Sequence, residues 1–110
     1  MASSTETASS TKITVIYENP EDPEAFETGY PEQLARGRKI PGVQRTESSK
    51  IWPKEDGSPT PAYRLLDLYF NDYDAASTAV TTEEAGDFFP LVVSQATGGV
   101  RFVFAHLEEI

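Results

Sequence analysis

Two stretches decide the fold, Arg64-Leu65-Leu66-Asp67-Leu68-Tyr69-Phe70 and Val100-Arg101-Phe102-Val103-Phe104-Ala105-His106-Leu107. Each is a predicted strand with apolar residues on both faces. A strand covered on one side only should alternate apolar and polar residues, because successive side chains point to opposite faces. A chain of 110 residues has too little helix to cover both faces of a sheet. We therefore expect the helix-free face of the sheet to contact a second subunit, a ligand or both.

The remaining segments place these strands in a single α+β domain. Strands are predicted at 12–18, 43–52, 62–70 and 100–107, with one helix after Asp22-Pro23 and another after Asn71-Asp72. Pro31 is expected to break the first helix. The order β-α-β-β-α-β predicts a ferredoxin-like fold, with a four-stranded antiparallel sheet and two helices on one face. Residues 1–11 are expected to form a disordered leader and residues 12–110 the domain.

Composition excludes several classes of function. The net charge of −9 argues against nucleic acid and anionic membranes as partners, although six of the nine basic residues lie between Arg36 and Lys54, which leaves a local anion site open. The chain has no cysteine and only one histidine, so we expect no metal and no cofactor. It also lacks a signal peptide and a long apolar run, so a cytoplasmic location is expected.

Asp67 is the candidate catalytic residue. Phe70 precedes a turn into a helix and should face the helices, as should Leu66 and Leu68. The opposite, helix-free face would then carry Tyr63, Leu65, Asp67 and Tyr69. Burial would raise the pKa of the Asp67 carboxyl unless a cation paired with it. The candidate cations are Arg45, Arg64 and Arg101, so Asp67 is either a structural ion-pair partner or a general base.

A ligand pocket could be lined by aromatic and apolar side chains of the strands. Tyrosines that are buried at one end and wet at the other commonly line pockets and interfaces. The predicted lining residues of this kind are Tyr17, Tyr63, Leu65, Tyr69 and Phe104.

Four motifs in order resemble the EthD-domain family of the dimeric α/β-barrel superfamily. They are KITVIYENPEDPEAFETGY at 12–30, RKIPGV at 38–43, YRLLDLYFNDYDAA at 63–76 and ATGGV at 96–100. The resemblance implies a protomer whose sheet packs on that of a partner, forming a barrel with an internal pocket. Proteins of the family and of the wider superfamily include cofactor-free dehydratases, decarboxylases, cyclases and monooxygenases. Family members commonly carry a histidine four residues after the helix tyrosine. Gln33 or a gap falls there, so Tyr30 and Gln33 are expected to line the pocket mouth.

Three functions remain open. The first is an EthD-like small-molecule-binding or accessory protein of a catabolic or biosynthetic oxidative pathway, a homodimer with a small apolar or aromatic ligand in its barrel pocket. The second is a cofactor-independent enzyme that uses Asp67 for acid–base chemistry. The third is a structural dimer without a pocket.

Overall fold

The computed structural model describes residues 9–109, and these form an antiparallel four-stranded sheet with three helices. The sheet order is β2-β3-β1-β4. The predicted ferredoxin-like fold is confirmed, and the second predicted helical region consists of two helices, α2 and α3. The elements are β1 (Thr11–Tyr17), α1 (Pro23–Arg38), β2 (Arg45–Lys50), β3 (Arg64–Phe70), α2 (Tyr73–Ala79), α3 (Glu83–Gln95) and β4 (Val100–His106).

The core lies between the two central strands and the helices. Alternate residues of β1 and β3 point towards the helices, and large side chains of α1 and α3 pack on them. The fully covered members are Ile13, Val15, Tyr17, Leu66, Leu68, Phe70, Phe88 and Val92. The helices α1 and α3 also pack against each other. One side of the sheet is thus covered by helices, and the opposite side carries none.

Capping side chains fix where the three helices begin. Asp22, Asp72 and Thr82 each accept a hydrogen bond from the backbone N–H three residues later. Such a cap contributes about 1 kcal/mol. Asp22 with Pro23 and Asp72 are also the sequence signals that mark the starts of α1 and α2.

Pro31 does not break α1, so that expectation is wrong. The helix is continuous from Pro23 to Arg38, although Pro31 cannot donate to the carbonyl of Glu27. Phe26 and Tyr30 before the proline and Gly37 after it are all buried against the rest of the protein. Their packing outweighs the cost of about 3 kcal/mol that a proline imposes on a helix interior.

β1 begins one residue before the predicted start of the domain at Lys12. Thr11 is the first residue of β1, and the Ser10 N–H and hydroxyl both donate to the carbonyl of Asn71, at 3.1 and 2.8 Å. Residues 1–8 lie outside the described residues. In the part of the chain that the structure covers, no helix combines the length and the apolar composition that crossing a membrane requires.

Gly98 occupies a position where a side chain does not fit. A Cβ added there would lie 1.9 Å from the carbonyl oxygen of Asn19, whereas a Cβ added at Gly86 in α3 would meet nothing within 4 Å. We expect Gly98→Ala to lower the free energy of unfolding by about 2 kcal/mol, because the backbone must move. Gly86→Ala should raise it by about 0.5–1 kcal/mol. Urea denaturation measures both, and equal effects would contradict the prediction.

Candidate functional site

The helix-free face carries three residues from each strand. Register across the sheet places the same-facing side chains of neighbouring strands side by side, and Leu65, Asp67 and Tyr69 are on this face, as the alternation predicts. The full set is Lys12, Thr14, Ile16, Arg45, Glu47, Ser49, Leu65, Asp67, Tyr69, Arg101, Val103 and Ala105.

Asp67 is held by a threonine and a lysine, not by an arginine. The Thr14 hydroxyl donates to Oδ1 of Asp67 at 2.5 Å, and the Lys12 Nζ lies 3.5 Å from the same oxygen. The three predicted arginine partners bind other carboxylates: Arg45 pairs with Glu47, Arg64 with Glu27 and Arg101 with Glu18. Asp67 is buried and already has two partners, which is the environment of a structural ion pair.

Tyr69 is covered by charged neighbours on the same face. Its hydroxyl donates to Glu47 at 2.7 Å, and its ring lies 3.8 Å from Cζ of Arg45 and 5.8 Å from Nζ of Lys12. Burial, reinforced by the bond to Glu47, raises the pKa of Tyr69 to about 12. Tyr69 is therefore protonated at neutral pH, and the hydrogen bond from its hydroxyl to Glu47 links β3 to β2 on this face.

Three predicted pocket residues lie on the helix side of the sheet instead, which corrects their assignment. Tyr17 is completely buried in the core. Phe104 is in register with the core residue Ile13, so it faces the helices, but β4 is an edge strand and the ring remains 44% exposed beside Tyr73. Tyr63 precedes β3, so strand alternation does not apply to it, and its ring packs against Phe26 at 5.5 Å.

Gln33 is inside the protein and does not line a pocket mouth. It accepts a hydrogen bond from the Tyr17 hydroxyl at 2.6 Å and donates one to Gln95 at 2.7 Å, and none of its surface is exposed. These two hydrogen bonds link β1 to α1 and α1 to α3. Burial raises the pKa of the Tyr17 and Tyr30 hydroxyls, so both remain protonated at neutral pH.

Glu27, Tyr30, Ser48, Tyr63 and Arg64 form a polar group that we call the Glu27 cluster. Arg64 binds the Glu27 carboxylate with Nε at 3.0 Å and Nη2 at 2.7 Å, and the Tyr63 hydroxyl donates to it at 2.6 Å. Cζ of Arg64 lies 4.4 Å from the centre of the Tyr30 ring, and the Tyr30 and Ser48 hydroxyls share a 2.7 Å hydrogen bond. The cluster ties α1 to β2 and β3.

The charges of the Glu27 cluster are fixed near neutral pH. The hydrogen bonds from Arg64 lower the pKa of Glu27 to about 2, and burial raises the pKa of Tyr63 to about 12. A general acid or base works best with a pKa near the working pH. Glu27 is therefore ionised and Tyr63 protonated near neutral pH, and their hydrogen bonds orient the groups of the cluster.

A cleft of about 540 Å³ opens beside Tyr63, under the loop that joins β2 to β3; we call it the loop cleft. Its volume lies within the range of about 300–1,000 Å³ that is usual for small-molecule sites. The apolar part of its lining consists of Ile51, Pro53, Pro59 and the ring of Tyr63.

Polar side chains line the rest of the loop cleft, and none of them is acidic. The Lys50 Nζ lies 5.6 Å from the centre of the Tyr63 ring. Tyr63 belongs both to the cleft and to the Glu27 cluster, so the cluster fixes one wall of the cleft. The polar residues are Asn19, Lys50, Lys54, Ser58 and Thr60.

Of the predicted site residues, the structure brings only Tyr63 to the loop cleft, with Tyr30 behind it in the Glu27 cluster. Sequence reasoning missed Glu27 and Lys50 as site residues. No local signal identifies them, because Glu27 meets Arg64 across 37 positions. Within residues 9–109 no group of three or more histidine, aspartate or glutamate side chains could hold a metal ion.

The amino-acid sequence is similar to that of a known protein. The chain is 32% identical over 100 residues to an uncharacterized 11.0 kDa protein in the thcB-thcC intergenic region of Rhodococcus erythropolis, a match that covers 90% of this chain and 96% of the relative. No family model matches the chain.

Solved structures share the fold. An ethyl tert-butyl ether D (EthD) family protein from Bacillus halodurans superimposes with a TM-score of 0.81 at 24% identity, over 92% of this chain and 99% of that one. A variant of SnoaB, a cofactor-independent oxygenase from Streptomyces nogalater, gives 0.65 at 15% identity over 94% and 97%. A dimeric ferredoxin-like protein of unknown function from Thermobifida fusca gives 0.67 at 8% identity over 91% and 92%.

Sequence and fold together place the chain among these proteins. The curated relative shares about a third of its residues over almost its whole length. The EthD protein has the same arrangement of strands and helices. The chain therefore belongs to the family of the Rhodococcus 11.0 kDa protein and has the fold of the EthD family, which confirms the resemblance that its four motifs indicate.

Proposed function

We propose that this protein binds a small apolar or aromatic molecule in the loop cleft and serves, as a homodimer, as an accessory protein of a catabolic or biosynthetic oxidative pathway. The observation that carries the proposal is the cleft itself, in which the Tyr63 ring and three apolar residues face a few polar groups. Concave sites of this composition are typical of small-molecule binding. A place in an oxidative pathway is supported by two proteins of similar structure, an EthD family protein and a cofactor-independent oxygenase.

The binding function has more support than the enzymatic alternative. An enzyme based on Asp67 needs a carboxylate that reaches a substrate, whereas Thr14 and Lys12 occupy Asp67 and it does not line the loop cleft. The ionised Glu27 and the protonated Tyr63 are equally unsuited to proton transfer at neutral pH. The loop cleft also argues against a structural dimer without a pocket.

The homodimer is proposed to form through the helix-free face. Lys12 pairs with Asp67, Arg45 with Glu47 and Arg101 with Glu18, so three cations of this surface have carboxylate partners in their own protomer. A partner can therefore cover the face without leaving these charges unpaired, which would be costly. The dimeric relative with the same fold supports this arrangement.

Binding of a neutral aromatic probe tests the proposal. N-phenyl-1-naphthylamine, whose fluorescence rises in apolar surroundings, is expected to bind the wild-type protein and to lose at least about tenfold in affinity in Tyr63→Ala, because the ring wall of the cleft disappears. Tyr63→Phe keeps the ring and should bind like the wild type.

Tyr73→Ala is the matched control for this titration, since it removes a tyrosine that is 60% exposed on α2 and lies outside the cleft. Its affinity for the probe should not change. Circular dichroism melts establish that each variant is folded. Equal binding by wild type and folded Tyr63→Ala would place the ligand elsewhere and reject the loop cleft.

A further inference from the structure

We propose that the loop cleft selects small aromatic anions, with an aromatic carboxylate as the preferred class. This inference rests on the proposed function, because both use the same cleft. The juxtaposition that carries it is an aromatic and proline-rich wall beside two lysines.

The charge of the loop cleft opposes that of the whole chain. The protein has 18 acidic and 9 basic residues, yet the cleft is lined by Lys50 and Lys54 and by no aspartate or glutamate. Neither lysine forms an ion pair with a carboxylate among residues 9–109. A cleft lined by charge of one sign concentrates ligands of the opposite sign.

Two carboxylates near the cleft, those of Glu27 and Asp56, are already engaged. Glu27 lies behind Tyr63, and Arg64 neutralises it with two hydrogen bonds. Asp56, in the same loop, accepts hydrogen bonds from the backbone N–H and the hydroxyl of Ser58, at 2.9 and 2.7 Å. Since these partners hold both carboxylates, the two lysines keep positive charge available to a ligand.

The apolar wall of the loop cleft favours a ligand that contains an aromatic ring. The Tyr63 ring is held from behind by Phe26, and the Lys50 Nζ lies 5.6 Å from its centre. Pro53 and Pro59 give the cleft further flat apolar surface. A ligand with an aromatic ring can pack on this wall while its carboxylate reaches the lysines, which places both of its parts in suitable surroundings.

Paired ligands separate charge from shape. Isothermal titration calorimetry at pH 7 compares 2-naphthoate with 2-naphthamide, which has the same ring system and no charge. We expect the wild-type protein to bind the carboxylate at least about tenfold more tightly. The double variant Lys50→Gln/Lys54→Gln should bind both ligands with the affinity that the wild type shows for the amide. The preference should also decrease as salt is added, because both lysines are exposed.

Lys39→Gln is the matched control, since it removes the same charge at the end of α1, outside the loop cleft. It should keep the full preference for naphthoate. The single tryptophan, Trp52, is exposed between the cleft residues Ile51 and Pro53, so its indole N–H gives one NMR signal that should shift on binding.

The outcomes separate this inference from the proposed function. If both ligands bind equally and shift the Trp52 signal, the preference for anions is wrong and binding in the cleft stands. If neither ligand binds the folded wild-type protein, both proposals fail. If the naphthoate preference survives in the double variant, the two lysines are not its cause and the inference is overturned.

Discussion

Arg64→Met is expected to lower the free energy of unfolding by about 3 kcal/mol. The guanidinium makes two hydrogen bonds to Glu27 and one to Ser48, and it lies against the Tyr30 ring. The side chain of Arg64 is 15% exposed and that of Glu27 is 34% exposed, so loss of the arginine leaves a half-buried carboxylate without its cation. Breaking a buried pair from one side costs about 3–5 kcal/mol, and partial solvation of Glu27 puts this case at the lower end.

Arg36→Met is the matched control for this prediction. Arg36 pairs with Glu32 one helical turn away, but both side chains are well exposed, so the loss should be below about 0.5 kcal/mol. Arg64→Lys keeps the charge and loses the paired geometry, and it should be intermediate. Urea denaturation of the three variants gives the comparison. Similar losses for Arg64→Met and Arg36→Met would show that the Glu27 cluster does not stabilise the fold.

The same ion pair predicts a dependence on pH. Because the pKa of Glu27 is about 2 in the folded protein, below its ordinary value of 4.5, the pair stabilises the protein above pH 4.5. That contribution is lost as pH falls from 4.5 towards 2. Solvent exposure of the carboxylate limits it to about 1 kcal/mol. Acid titration of stability should be flatter for Arg64→Met than for the wild type over this range.

The face of the sheet on which Asp67 and Tyr69 lie could be predicted, because it depends only on neighbouring residues in the sequence. Phe70 immediately precedes the turn into α2, and alternation then assigns Asp67 and Tyr69 to the opposite face, where both lie. The same reasoning failed for Tyr63, because β3 begins one residue later, at Arg64. For Phe104 the outcome depended on which residue of β1 it pairs with, and strand pairing is not visible in a single segment.

The candidate site could not be predicted because long-range contacts create it. Glu27 lies 36 residues from Tyr63, and the loop between β2 and β3 must fold back over the strand ends to form a cleft. Loop composition predicts an irregular segment and does not give its path. Pro31 shows the complementary effect, since tertiary packing overrides a strong local preference. The sequence leaves an anion site open between Arg36 and Lys54, and we propose it at two lysines near the end of that segment, Lys50 and Lys54.

Val103→Asp is expected to weaken self-association of the protein at least about 100-fold. Val103 is 43% exposed on the helix-free face and is in register with Thr14, which separates it from Asp67 across the sheet. In the proposed dimer the new carboxylate would be buried, and the cations of this face already pair with other carboxylates. Burying an unpaired charge costs several kcal/mol. The exposed side chain of a single protomer tolerates the change, so the variant should remain folded.

Sedimentation velocity at micromolar concentration measures this effect. The wild type should sediment at about 24 kDa, twice its 12.1 kDa mass, and should do so in high salt as well, because the charged pairs on the face are satisfied within each protomer. Val93→Asp is the control, since Val93 is 55% exposed but lies on α3, away from the sheet. A wild type that stays at 12 kDa, or a Val103→Asp variant that dimerises as strongly as Val93→Asp, would rule out the helix-free face as the dimer interface. A stable interface usually covers more than ~1,000 Å², and a charge buried within it without a partner should dominate the outcome.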